Sequence, residues 1–183
     1  VIIKVDKSVD LIRPFFVGAI VRGTKFDDNS IKQIMAMQDD LDNGIGRRRS
    51  KVSTGLHNLD AVEPPFEYKT VSPDYRFTPL GHNKLISMKQ ILKESHTGQQ
   101  YGHIIEKFQE YPIIVDKNDN VMSFPPIING DITRISTDTK NLFIDITSTN
   151  LKSAEDVLAV LLTTLSDMGG KLESVQIQYP SYK

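Results

Sequence analysis

Apolar and polar positions follow two different periods along this chain, and together they predict strands mixed with helices. Short β-branched and apolar runs predict strands, at 1–5, 15–21, 113–115, 121–124, 142–147 and 175–179. Apolar residues at helical spacing predict helices, at about 30–42, 84–95 and 97–108 and in a longer stretch capped by Ser153. No regular βαβ order is present. The pattern therefore predicts an α+β fold, with a mixed or antiparallel sheet packed against several helices in a single domain, 1–183.

The runs at 113–115 and 121–124 predict a hairpin. They flank a turn-rich stretch of Asp, Asn and Lys residues. Two prolines follow directly, and we expect them to end the second strand because proline has no backbone N–H to donate. Ile114 and Ser123 are expected on the two strands of this hairpin.

The amino-acid composition excludes several classes of protein function. The 183 residues are 39% hydrophobic and 25% charged, which is enough for a core beneath an ordinary surface. A net charge of -1 argues against a general polyanion binder, so any nucleic-acid contact must be local. The absence of cysteine excludes thiol nucleophiles, disulfides and cysteine metal sites.

No apolar run approaches the roughly 20 residues that span a bilayer. The chain begins at Val1 inside a strand-like run, so we expect a piece of a longer protein.

Standard catalytic motifs are missing from the sequence. It has no GxSxG, HExxH, P-loop or GxGxxG pattern. The histidines lack the spacing of metal ligands and are expected to be surface or capping residues: His57, His82, His96 and His103. We therefore predict no metal site.

Two polar features of the first half have a structural and a functional interpretation. Gln38 falls on the apolar face of the first predicted helix, where it is either a core amide with satisfied hydrogen bonds or part of a pocket. The basic segment after that helix is expected to be exposed and to lead into a strand. If it is extended, Arg47, Arg49 and Lys51 share one face, which suits either phosphate contacts or a solvated strand edge.

Asp145 is the most unusual residue of the second half. Strand alternation places Phe143, Asp145 and Thr147 on one face of their strand. Strand interiors disfavour aspartate, and burying a carboxylate is costly unless it is paired or used. The alternatives are an exposed sheet face and a functional carboxylate.

Several motifs, in this order, resemble one family. They are Ile12-Arg-Pro14, the run from Arg47 to Asp60 (a basic stretch and then Gly-Leu-His-Asn-Leu-Asp), Phe77-Thr-Pro-Leu80, Tyr111-Pro112, Ser123-Phe-Pro-Pro-Ile-Ile-Asn-Gly130 and Asn141-Leu-Phe-Ile-Asp-Ile-Thr147. Over essentially its whole length the chain resembles the tRNA-editing domain of archaeal and eukaryotic phenylalanyl-tRNA synthetase beta subunits.

The resemblance implies an editing hydrolase within an enzyme that ligates phenylalanine to tRNA(Phe). An apolar pocket rejects an added hydroxyl only about 100-fold, so a synthetase needs a second site to remove tyrosine. The implied reaction is hydrolysis of the ester of mischarged tyrosyl-tRNA(Phe) by an activated water. The implied partners are the acceptor end of tRNA(Phe), the tyrosine moiety and, in a heterotetramer, the alpha subunit. ATP and magnesium are expected only in the full synthetase, and the implied location is cytoplasmic, without a membrane.

Six residues carry over from the family. Asp145 and Thr147 would hold the substrate amino group or the attacking water. The residues that would bind substrate are Gln38, Arg49, Ile114 and Ser123, with Arg49 steering the tRNA and Ser123 shaping the tyrosine pocket. Because the chain has no cysteine and no serine beside a recognisable base, direct attack by water is favoured over a covalent intermediate.

One position departs from the family pattern, which reads Thr-Gly-Thr after the aspartate strand. Ser148 replaces that glycine, and its Cβ is expected to narrow the pocket or to prevent a positive φ. The alternative function is a non-catalytic module of the same subunit, used for tRNA docking or for assembly with the alpha subunit. The lack of a recognisable catalytic dyad leaves this alternative open.

Overall fold

The computed structural model describes residues 1–180. The strands are β1 Ile2–Val5, β2 Phe15–Arg22, β3 Val52–Asn58, β4 Phe66–Val71, β5 Arg76–Phe77, β6 Ile86–Ser87, β7 Tyr111–Val115, β8 Val121–Phe124, β9 Ile128–Asn129, β10 Asn141–Ser148, β11 Lys171–Ser174 and β12 Gln176–Gln178. The α-helices are α1 Asp28–Asn43, α2 Met88–Glu94, α3 His96–Tyr101 and α4 Leu151–Asp167. These elements form two compact units.

The first unit comprises, among the described residues, Val1–Pro14, Val62–Arg134 and 176–180. Its main sheet has the strand order β12-β1-β4-β7-β8-β9. β1 runs parallel to both of its neighbours, whereas the strands from β4 to β9 pair antiparallel. Buried side chains of α2 and α3, such as Ile91 and Tyr101, pack with inward residues of β7 and β8 in one core.

The second unit comprises Phe15–Ala61 and Ile135–Val175. Its four-stranded antiparallel sheet has the order β11-β2-β10-β3, so the eight-residue β10 lies between two partners. Side chains of α1 and α4 cover one face of this sheet, where Ile34, Leu161 and Ile144 belong to one buried hydrophobic cluster. Burying each large aliphatic side chain stabilises the unit by about 1.5–3 kcal/mol.

The α+β prediction is confirmed, and most predicted elements are present. The predicted hairpin is formed by β7 and β8, and β8 ends just before the two prolines. The first predicted helix corresponds to α1, which begins with a capping box between Asp27 and Ser30. The assignment of 1–183 to one editing domain stays a prediction.

Several predicted boundaries were wrong, and local capping explains them. The predicted helix at 84–95 begins only at Met88, because Ser87 caps it after pairing in β6. Similarly, Ser95 rather than a residue near Thr97 caps α3. The long helix α4 is capped by Asn150, whose side chain accepts a hydrogen bond from the backbone N–H of Ser153.

Two further elements differ from the sequence pattern. The helix expected across 97–108 ends at Tyr101 and continues as a single 3-10 turn. The expected final strand at 175–179 is present as the shorter β12, whereas β11, which belongs to the other sheet, was not predicted. In the described part of the chain, no helix is both long enough and apolar enough to cross a membrane.

Candidate functional site

Asp145 lies at the centre of the sheet of the second unit, and its carboxylate is 2% exposed. Its direct neighbours across the two flanking strands are both glycines, Gly18 on β2 and Gly55 on β3. A Cβ added to Gly55 would collide with Oδ2 of Asp145 and lie 2.7 Å from Nε2 of His57. The glycine therefore makes the room that this carboxylate occupies.

The side chain of His57, two residues after Gly55 on β3, contacts the carboxylate of Asp145. Its Nε2 forms a short contact with Oδ2 of the aspartate, and the His57 side chain is fully buried. The imidazole also lies 6.0 Å from the ring of Phe143, measured between centroids. The prediction that His57 is a surface or capping residue was therefore wrong, because β3 is buried although it has only one strand partner.

Thr147 lies on the same face as Asp145, as the alternation of β10 predicted. Its Oγ1 is 3.2 Å from Oγ of Ser53, which is its direct partner on β3. Both residues are buried. Carboxylate, imidazole and two hydroxyls are thus brought to one face of the sheet, while α1 and α4 cover the other face.

Gln38 is half-buried and contacts the outer side of β3. Its side-chain Nε2 donates a hydrogen bond to the backbone oxygen of Thr54, at 2.7 Å. One helical turn later, Oδ1 of Asp42 accepts hydrogen bonds from the backbone N–H and the hydroxyl of Thr54, both at 3.0 Å. This hydrogen bond agrees with the structural interpretation of Gln38, and the assignment of Gln38 to substrate binding stays a prediction.

The basic segment after α1 is a left-handed turn and not an extended strand. Arg47, Arg48 and Arg49 have φ values of 49°, 52° and 65°. Their backbone N–H groups donate to carbonyls at the end of α1 and just beyond it. The predicted shared face of Arg47, Arg49 and Lys51 was therefore wrong, since it required an extended backbone.

Arg49 differs from its two neighbours in exposure. Arg47 and Arg48 are exposed, whereas the side chain of Arg49 is 15% exposed. Its Nε lies 3.4 Å from Oδ2 of the buried Asp42, and its Nη2 lies 3.9 Å from Oδ1 of Asp39. Arg49 thus anchors the turn to the end of α1, and its role in steering tRNA stays a prediction.

Ile114 and Ser123 belong to the first unit, in contrast to the other four predicted residues. They are direct partners across β7 and β8, so their side chains share one face of that sheet. Both are buried, at 0% and 4% exposure. The assignment of these two residues to substrate binding is not tested by this geometry.

Ser148 ends β10 with a set of local hydrogen bonds. Its hydroxyl accepts from the N–H of Asn150 at 2.8 Å, and its single proton lies within reach of two carbonyl oxygens, that of Lys51 at 2.8 Å and that of Asn150 at 2.7 Å. It is not among the described residues with a positive φ. The serine hydroxyl therefore ties the start of α4 to the segment before β3.

Sequence reasoning missed His57, Asp42 and Ser53. Alternation along β3 would have placed Ser53 and His57 on one face, but their partners on β10 depend on a register that one strand alone does not reveal. Among the described residues, no group of three or more His, Asp or Glu side chains is arranged to hold a metal ion.

Comparison with known proteins relates the chain to one enzyme subunit. No family model matches it. The phenylalanine–tRNA ligase beta subunit of Methanosarcina acetivorans is 44% identical over 178 residues, which is 97% of this chain and 32% of that protein. The beta subunit of Pyrococcus horikoshii is 39% identical over 184 residues, covering 100% of this chain and 33% of that protein. The chain therefore spans about a third of the length of these curated relatives.

A solved structure has the same fold. It is an N-terminal fragment of the phenylalanyl-tRNA synthetase beta subunit from Pyrococcus horikoshii, with a TM-score of 0.96 and 38% identity. The alignment covers 99% of this chain and 53% of that one. Sequence and structure thus both lead to subunits of an aminoacyl-tRNA ligase. The chain belongs to the phenylalanine–tRNA ligase beta-subunit family.

Proposed function

We propose that the chain is an editing hydrolase that cleaves the ester of tyrosyl-tRNA(Phe) and spares phenylalanyl-tRNA(Phe). In this proposal it acts within a cytoplasmic phenylalanine–tRNA ligase that also contains an alpha subunit. The observation that carries the proposal is the buried Asp145, which has glycines on both sides and an imidazole as its partner. A sheet that only packs against helices has no need for such a group.

The proposed chemistry is direct attack by water. Asp145 and Thr147 hold the substrate ammonium or the attacking water. The water oxygen bonds to the ester carbonyl carbon, and the bond from that carbon to the ribose oxygen breaks. The proton lost by the water ends on the ribose oxygen, so free tyrosine and tRNA(Phe) are released.

Discrimination requires a group that recognises the tyrosine phenol. We assign this role to Ser123, with Ile114 as an apolar neighbour. Ser123 is buried and lies directly across from Ile114 in the sheet. A site built to bond a substrate hydroxyl rejects the analogue that lacks it by roughly 10⁴- to 10⁵-fold in comparable cases.

The test compares two esters and two carboxylate variants. Tyrosyl- and phenylalanyl-tRNA(Phe) are incubated with the chain at low salt, because phosphate contacts weaken steeply with salt. We expect the tyrosyl ester to be lost at least about 100-fold faster, and Asp145→Ala to lower that rate by roughly 100-fold. The matched control is Asp138→Ala, which changes an exposed carboxylate of the same unit. Equal, slow loss of both esters, whatever the variant, would contradict the proposal.

A second candidate is a tRNA-docking module without catalysis. The exposed Arg47 and Arg48 favour it, because arginines bind phosphates well and position a nucleic acid without chemistry. In this case Arg47→Ala/Arg48→Ala would weaken tRNA(Phe) binding, while neither ester would be hydrolysed by the unaltered chain. Hydrolysis that depends on Asp145 would decide for the editing proposal.

A further inference from the structure

The proposed reaction uses Asp145 but leaves its buried neighbour without a role. His57 is fully buried, and its Nε2 contacts Oδ2 of Asp145. Burying a histidine here costs desolvation free energy, because both ring nitrogens need hydrogen-bond partners away from water. Its contact with the one carboxylate on which the proposed chemistry depends argues for a supporting role.

The sheet restricts where the Asp145 carboxylate can lie. Gly55 leaves the space beside Oδ2 open, and the imidazole of His57 fills part of it. Phe143 packs beside that imidazole, since it is the direct partner of His57 on β10. The imidazole is therefore placed by packing, and it can fix one oxygen of the carboxylate.

The geometry points to His57 as a positioning residue for Asp145, an inference that rests on the proposed editing function. In this arrangement the neutral imidazole carries its hydrogen on Nε2, and this N–H donates a hydrogen bond to Oδ2 of Asp145. The carboxylate is then held as an acceptor in one orientation. Its second oxygen, Oδ1, is directed to accept a hydrogen bond from the attacking water or the substrate ammonium. A fixed acceptor lowers the cost of arranging the reacting groups.

The test uses substitutions that keep or remove the donor. His57→Leu removes it, whereas His57→Gln keeps an amide N–H close to the place of Nε2. We expect His57→Leu to lower kcat for tyrosyl-tRNA(Phe) roughly 10- to 100-fold, with KM changed less than about threefold. His57→Gln should recover most of that loss. His103→Leu, which changes an exposed histidine, should match the unaltered chain.

A double variant separates positioning from a merely structural role. If His57 acts through Asp145, His57→Leu should have no further effect on kcat in an Asp145→Asn background. Additive losses, or equal losses in His57→Leu and His57→Gln, would overturn the inference. If His57→Leu does not fold, His57→Asn takes its place, since its shorter amide does not reach Oδ2. An unaltered chain without hydrolysis would contradict the proposed function itself, whereas an active chain insensitive to His57 would contradict only this inference.

Discussion

Gln38 donates its side-chain amide to the backbone oxygen of Thr54, at 2.7 Å, so α1 forms a hydrogen bond with the outer side of β3. Replacing Gln38 with Met keeps the length of the side chain and removes the donor. We expect the free energy of unfolding to fall by about 1–2 kcal/mol, because the half-buried carbonyl loses its partner. Urea unfolding measures the change. Gln33→Met, on the exposed side of the same helix, should change it by less than about 0.5 kcal/mol.

Asp42 is the buried partner of Arg49, and its loss should be more costly. Asp42→Ala removes the acceptor of two hydrogen bonds from Thr54 and leaves the Arg49 guanidinium without its nearest carboxylate. We expect a loss of about 3–5 kcal/mol in the same unfolding measurement. Asp39→Ala is the control, because Asp39 is 66% exposed and lies 3.9 Å from Arg49. Similar effects of the two substitutions would contradict the anchoring role of Asp42.

Arg48 lies in the left-handed turn, so two substitutions at this position can distinguish the effect of its charge on tRNA binding from the effect of its backbone conformation on stability. A non-glycine residue in this region costs roughly 1–2 kcal/mol. With its φ of 52°, Arg48→Gly should therefore be more stable than Arg48→Ala by about 1 kcal/mol. Both variants lose the same charge and should weaken tRNA(Phe) binding equally in a filter-binding titration. Unequal binding would mean that the turn geometry, and not only the charge, contacts the nucleic acid.

Asp116, in the turn between β7 and β8, should make stability depend on acid pH. Burial raises the pKa of its carboxyl, but hydrogen bonds from Asn120, Glu63 and Asn118 outweigh burial and hold the pKa below its ordinary 3.8. A lowered pKa contributes stability that is present above the unfolded value and is lost as pH falls through the folded value.

The variant Asp116→Asn tests this linkage. At pH 7 we expect the free energy of unfolding to fall by about 1–3 kcal/mol, since one acceptor oxygen is lost in a buried position. The difference from the unaltered chain should shrink as pH falls below about 4, where the aspartate takes up its proton. A difference that stays constant down to about pH 2 would contradict a role for the ionised carboxylate.

Gly55 should be intolerant of even one methyl group. Gly55→Ala places a Cβ against Oδ2 of Asp145, so we expect roughly 10-fold or greater loss of ester hydrolysis together with a measurable loss of stability. Gly102→Ala is a suitable comparison, because its added Cβ would lie 3.5 Å from Cδ2 of Leu92, which is ordinary contact. Wild-type hydrolysis by Gly55→Ala would show that the carboxylate need not lie where this structure has it.

The elements that the sequence predicts well are those in which local chemistry and tertiary packing agree. The strand at 142–147 and the helix at 30–42 carry strong periodicity, and both are present with small changes at their ends. Helix boundaries that depend on a particular cap, such as Asn150 for α4, are harder to predict, because several nearby residues can accept the same hydrogen bonds.

The features of the candidate site also differ in how well the sequence predicts them. Asp145 and Thr147 could be placed on one face because strand alternation is local. The pairing of His57 with Asp145 joins residues 88 positions apart, so it depends on strand order and register. The turn at 47–49 could not be foreseen from propensity, since consecutive arginines rarely adopt positive φ. Hydrogen bonds from its backbone N–H groups to the end of α1 and the contact of Arg49 with Asp42 favour it here.

The hydrogen bonds from α1 to Thr54 also bear on how the chain behaves at high concentration. A strand with only one partner normally offers its free backbone groups to another molecule, which is a common start of aggregation. At Thr54 the side chains of Gln38 and Asp42 already occupy the groups that a fifth strand would use. A helix thus takes the place of that strand, and β3 is closed to a second copy of the chain at this position.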